Sequence, residues 1–190
     1  MLVFTLGLTE AWALKLDDAV FPLCPGVAGG QFDPARYEFH NFSVSEVVAD
    51  MTAFIDGLRD KNPKCRIILT VSPVPLVATA RVDTHVLAAT VYSKSILRVA
   101  AEMVAQARSL VAYFPSYEII TARYDAGTYF AADRRAVLPE GVAHVMRAFA
   151  GCFTNIFAPL PLQVQEGAAH MREIEALIQA QCDEIALGPE

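Results

Sequence analysis

The chain has 190 residues, 54% of them hydrophobic and 19% charged, and a formal net charge of −6. That length suits one domain with a sizeable core, and that composition excludes a disordered chain. An acidic chain with no basic stripe argues against nucleic acid as a partner, and no apolar run reaches the roughly 18–20 residues of a membrane span.

The first segment, Leu2–Leu6, is a short unbroken run of apolar and β-favouring residues. It predicts a strand buried on both faces, and it opens straight into the turn Gly7–Glu10. No basic region precedes it, and Glu10 and Lys15 interrupt any apolar leader, so no secretory signal is expected. Residues 12–33 read as irregular, because "CPGVAGGQFDP" holds three glycines and two prolines. "RYEFHNFS" reads as a short extended piece ahead of a helix. Ser43 and Glu46 have the S-x-x-E spacing of a capping box, and Val47, Met51, Phe54, Ile55 and Leu58 then recur at helical spacing until "KNPK" ends the run.

Arg66–Val71 is β-branched and apolar, a second strand that Pro73 and Pro75 terminate. "VYSKSILRVAAEMVAQA" predicts an amphipathic helix with Ile96, Val99, Met103, Val104 and Ala107 on its apolar face. "LVAYFPSYEII" is a third strand broken at Pro115. "LPEGVAHVMRAF" starts a helix at a proline, with Val142, Val145, Met146 and Phe149 on one face. "FAPLPL" is a linker, and a last helix carries the stripe Met171, Ile174, Ile178, Cys182 and Ile185.

Strand and helix alternate three times, the pattern of a parallel sheet with crossover helices. Ligands in such sheets gather at the carboxyl ends of the strands. The candidate loops are therefore Gly7–Glu10, "SPVP" after the second strand and the segment after the third. The four cysteines, Cys24, Cys65, Cys152 and Cys182, share no CxxC spacing, so reduced thiols in a cytoplasmic chain are expected rather than metal ligation.

Five stretches in order, "TLGLTEAW", "LTVSPVP", "YSKSILR", "YFPSYEII" and "YFAADRRAVLPEGV", resemble the GSCFA-domain proteins, relatives of the SGNH (GDSL-like) hydrolases. The resemblance covers roughly residues 1–150. It implies an α/β fold, a three-layer α/β/α sandwich around a parallel sheet, with residues 1–155 a partial GSCFA/SGNH-like domain and 156–190 a linker and C-terminal helix. It also implies ester hydrolysis or acyl transfer on a small-molecule or glycan ester, with no metal or organic cofactor. The family's Gly-Ser-Cys-Phe-Ala stretch, which supplies the presumed nucleophilic serine, does not occur in this chain. Leu2–Leu6 resembles the family's third strand, so the expectation is an N-terminally truncated sheet. Asp133 matches the aspartate of the SGNH D-x-x-H pair, but Ala136 stands where the histidine would be. Alanine cannot relay a proton, so impaired activity is expected, with a non-catalytic ligand- or partner-binding domain as the alternative.

Each candidate has a bland alternative. Gly7, Thr9 and Glu10 resemble the family's oxyanion loop, with Thr9 as donor, or else begin an ordinary loop. Ser72 is a surrogate nucleophile or a turn serine bonded to its own backbone. Ser93 and Lys94 form a Ser-Lys pair, or a helix cap and a solvated lysine; adjacent helical side chains diverge by about 100°. Tyr117 and Glu118 line the cleft, or Glu118 holds a structural bond. Of the histidines His40, His85, His144 and His170, His40 and His85 lie in loops and are candidates to replace the lost base, whereas His144 sits within an amphipathic helix. Without the strands before it, Leu2–Leu6 would be an open apolar edge, to be covered by self-association or by a partner supplying the missing strands.

Overall fold

The computed structural model describes residues 1–121 and 129–153. It falls into two units, Met1–Pro115 and Ser116 onward.

In the first unit, β1 (Leu2–Leu6), β5 (Ile67–Val71) and β6 (Val111–Phe114) form a parallel sheet in the order β1-β5-β6. Leu2 pairs with Ile67 and Leu6 with Val71, and Thr70 pairs with Phe114. Parallel neighbours need crossovers, and the chain provides two helices for them: α1 (Val44–Lys61) and α2 (Val86–Ala107). The helices pack on each other, which puts both crossovers on one face of the sheet.

The α1 start is a complete capping box. The Ser43 hydroxyl accepts the Glu46 amide, and the Glu46 carboxylate accepts the Ser43 amide at 2.8 Å. Val47, Met51 and Ile55 form its buried stripe, while Phe54 reaches Phe4 of β1 with ring centroids 5.4 Å apart. Strand β5 is buried at every residue, as its uniform apolar run requires of a central strand. Strand β1 differs from expectation. It alternates between exposed and shielded residues, with Val3 and Thr5 open on one face of the strand, and among the described residues only β5 pairs with it.

Two further expectations change. The loop read over residues 12–33 contains strands. β2 (Glu10–Leu14) pairs antiparallel with both β3 (Val20–Phe21) and β4 (Tyr37–Asn41), making a second small sheet on Trp12, Phe32 and Phe39. Helix α2 begins earlier than its apolar periodicity suggests, because His85 caps it: His85 Nδ1 accepts the Leu87 amide at 3.2 Å. Its buried face runs through Ala89, Ser93, Lys94, Ile96, Leu97, Ala100, Ala101 and Val104, not through Val99 and Met103, which are exposed. Small alanines let the helix backbone approach the sheet closely, and that closeness decides which face goes in.

In the second unit, α3 (Ser116–Thr121) follows Pro115 directly, and α4 (Pro139–Phe153) packs on α3. Gly141 allows that approach, since a Cβ there would meet Tyr129 Cβ at 2.8 Å and Ile120 Cδ1 at 3.1 Å. The buried face of α4 passes through Gly141 and His144, while Val142 and Met146 are exposed, against the expected stripe. His144 Nδ1 lies 2.7 Å from the Tyr129 hydroxyl, a buried polar pair. Cys152 is disulfide-bonded, contrary to the expectation of reduced thiols throughout, whereas Cys24 and Cys65 are free. The expected linker and final helix lie outside the described residues. No described helix is long and apolar enough to cross a membrane.

Candidate functional site

At the carboxyl end of β1 the chain leaves the sheet as Gly7-Leu8-Thr9 and re-enters extended structure at Glu10, the first residue of β2. This loop is held from three directions. From α2, the Ser93 hydroxyl accepts the Thr9 amide at 2.8 Å, and Lys94 Nζ donates to the Gly7 carbonyl at 2.7 Å. From β4, Asn41 Oδ1 accepts the Thr9 hydroxyl at 2.6 Å. From the loop after β5, the Thr79 hydroxyl donates to Glu10 Oε1 at 2.6 Å and the Ala80 amide donates to Oε2 at 3.3 Å. The Phe42 amide also donates to the Thr9 carbonyl at 2.9 Å.

Thr9, Ser93 and Lys94 are all about 1% exposed. The solvated-lysine reading of "YSKS" is therefore wrong. Both side chains reach the same loop although they diverge around the helix, because their targets, Thr9 and Gly7, are spread by two residues. Among the described residues no carboxylate pairs with Lys94. A buried, unneutralised ammonium is costly, and burial pushes the Lys94 pKa down to about 8. Thr9 spends its amide and hydroxyl inside the protein, so its hydroxyl does not face a ligand as an oxyanion donor would. Gly7 and Leu8 are the exposed part of the loop.

The other sequence candidates occupy local structural positions. Ser72 Oγ accepts the Val74 amide at 3.2 Å, the turn-serine arrangement. His40 Nε2 lies 2.9 Å from Glu46 Oε1, and its ring meets Phe42 with centroids 4.5 Å apart. Hydrogen bonds from Ser43, with the nearby His40, hold the Glu46 carboxyl below its usual range. His85 is the cap of α2. None of Ser72, His40 and His85 is hydrogen-bonded to another, so no nucleophile–base pair is assembled from them.

In the second unit, Asp133 Oδ1 accepts the amides of Arg135 (2.9 Å) and Ala136 (3.0 Å). Those two bonds hold its carboxyl below the usual range and close an exposed turn inside the Phe130–Val137 bridge. Arg134 sits there with φ 54°, as a tight turn demands. Tyr117 and Glu118 are half-buried on α3. Among the described residues no cluster of His, Cys, Asp and Glu is arranged to hold a metal ion.

Asn41 and Thr79 were not among the sequence candidates. Nothing in a lone asparagine at a strand end, or a threonine in a loop, marks it as the partner of a residue 32 or 69 positions away.

The GSCFA family model matches residues 1–149. The chain belongs to the GSCFA family. No curated protein and no solved structure matches it significantly. The matched residues include the loop and helix that converge here: "TLGLTEAW" and "YSKSILR" meet at Gly7–Thr9 and Ser93–Lys94.

Proposed function

We propose that this GSCFA chain presents the ligand-binding wall of an acyl-ester cleft on an SGNH-hydrolase-like, three-layer scaffold, with ester hydrolysis or acyl transfer impaired. The single observation that carries this is the convergence of Ser93, Lys94, Asn41 and Thr79 on the loop at the carboxyl end of β1, where parallel sheets hold their ligands. A loop fixed by four buried or half-buried side-chain contacts from three elements is pre-organised, and pre-organisation is what binding and oxyanion stabilisation need. Impairment follows from the commitments of Ser72, His40, His85 and Asp133, each tied to its own neighbourhood.

The ligand class is a polar acyl ester, including acylated carbohydrates. A panel of acylated monosaccharides, read by ligand-observed NMR, tests this. Saturable binding with hydrolysis at the buffer rate supports a binding domain. Enzyme-dependent ester loss supports the esterase reading instead. We propose further that the open edge of β1 is covered by a strand from a second copy or from a partner. The absence of a second described neighbour for β1 favours it.

A further inference from the structure

Helix α2 has two apolar faces. One is buried, and from it Ser93 and Lys94 hold the Gly7–Thr9 loop. The other is open: Leu87, Val91, Val99 and Met103 are between 47% and 66% exposed. Together with Ser95, also exposed, they stand at every fourth position of the helix. Residues four apart form one of the ridges by which helices pack on each other, and this ridge carries no charge. A surface helix ordinarily turns polar side chains outward, and large apolar ones on successive turns mark a contact surface.

The order of residues along the ridge says what the contact is. Ser95 stands in the middle, Val91 and Val99 four residues to either side, Leu87 and Met103 eight. Side chains therefore lengthen outward in both directions. Two crossing helices are cylinders that touch at one point and separate away from it. A small residue fits the crossing point, and longer ones reach across the widening gap. The ridge also reads alike from either end. A contact between identical chains demands that, because a two-fold axis sets residue i against j and j against i. A partner of another kind requires no such symmetry.

We propose that α2 is a dimer contact of this chain: two copies cross antiparallel on this ridge, with the two-fold axis at Ser95, Val91 of one copy against Val99 of the other, and Leu87 towards Met103. Ridges of this kind cross at about 50°. The contact buries roughly 1,000 Å² in all, the low end for specific interfaces, so the dimer dissociates on dilution. It does not use the Gly7–Thr9 loop, and it stands whether or not that loop binds a ligand.

Sedimentation equilibrium over a dilution series tests it, in a Val3→Lys background that removes the contribution of the β1 edge. The Val3→Lys chain is expected to reach twice the 20.7 kDa chain mass at high concentration and to dissociate on dilution. Ser95→Glu, which sets two carboxylates against each other at the axis, should leave a monomer. Val91→Lys and Val99→Glu should each raise the dissociation constant about tenfold, since each sets a charge against an apolar neighbour. The two together in one chain should recover most of that loss, because each ammonium then meets a carboxylate of the other copy. Within one copy the two positions are about 12 Å apart along the helix, so the recovery cannot come from a single chain. All these positions are exposed, and an unchanged circular dichroism spectrum shows that each variant is folded. A Val3→Lys chain that stays monomeric at every concentration, or a dimer indifferent to Ser95→Glu, overturns the proposal. Loss in both single variants without recovery in the double overturns the antiparallel register. A monomer that Ser95→Glu destabilises shows the ridge to be covered by another part of the same chain, and overturns the proposal as well.

Discussion

Ser93 and Thr9 lie 84 residues apart in the chain, and the Ser93 hydroxyl accepts the Thr9 amide at 2.8 Å inside the protein. One turn of α2 is thereby fastened to the end of β1. Without that acceptor the Thr9 N–H would be buried and unsatisfied. Ser93→Ala is expected to lower stability by about 1–3 kcal/mol, the usual cost of an orphaned buried donor. Urea unfolding checks it; an unchanged midpoint would show that the bond contributes nothing.

Lys94 makes stability depend on pH in a defined window. Its folded pKa, about 8, lies below the ordinary 10.5 because it is buried. Below pH 8 it is protonated in both folded and unfolded chains, and its burial cost is present in full. Between about 8 and 10.5 the unfolded chain binds more protons, so the unfolding free energy rises with pH. Above that window both forms are neutral and the contribution is flat. The difference between wild type and Lys94→Met, followed by unfolding from pH 7 to 11, should show this rise; parallel curves would refute it.

Gly141→Ala should destabilise, although alanine is the better helix former by about 1 kcal/mol. The new methyl would stand 2.8 Å from Tyr129 Cβ and 3.0 Å from Tyr129 Cγ. Crowding of that kind costs about 1–3 kcal/mol, so the net loss should be visible as a lower thermal midpoint. A rise in the midpoint would mean that α4 and Tyr129 separate without cost.

The open edge of β1 predicts association. Light scattering of the purified chain should give a mass above that of the 20.7 kDa monomer, and Val3→Lys, which charges the exposed side of the strand, should reduce it. A stable monomer across the accessible concentration range would count against a covering strand from a second copy.

Much of the sheet was legible in the sequence because its signals are local. Four apolar residues and Thr70, followed by the prolines at 73 and 75, define β5, and the Ser43–Glu46 spacing defines the start of α1. The parallel pairing of β1 with β5 follows from the helix between them. Strands β2 and β3 escaped notice because β3 is two residues long and sits among turn-forming residues, so its pairing, not its composition, makes it a strand. The site was half legible. Gly7–Glu10 and Ser93–Lys94 were both singled out, but a lysine in a helix reads as solvated, and periodicity says nothing of what lies above the helix. Burial of Lys94 depends on the loop crossing α2, a relation between residues 87 positions apart. Ser72 and Asp133 show turn chemistry, in which short polar side chains bond the backbone two or three residues on.

On the function proposed above, this GSCFA chain keeps the wall of an acyl cleft without a working nucleophile. The most direct test is to treat the intact chain with a serine-reactive fluorophosphonate and locate any adduct by peptide mass spectrometry, with p-nitrophenyl acetate turnover measured alongside. The prediction is no adduct and turnover at the buffer rate. An adduct on Ser72, lost together with esterase activity in Ser72→Ala, would contradict it.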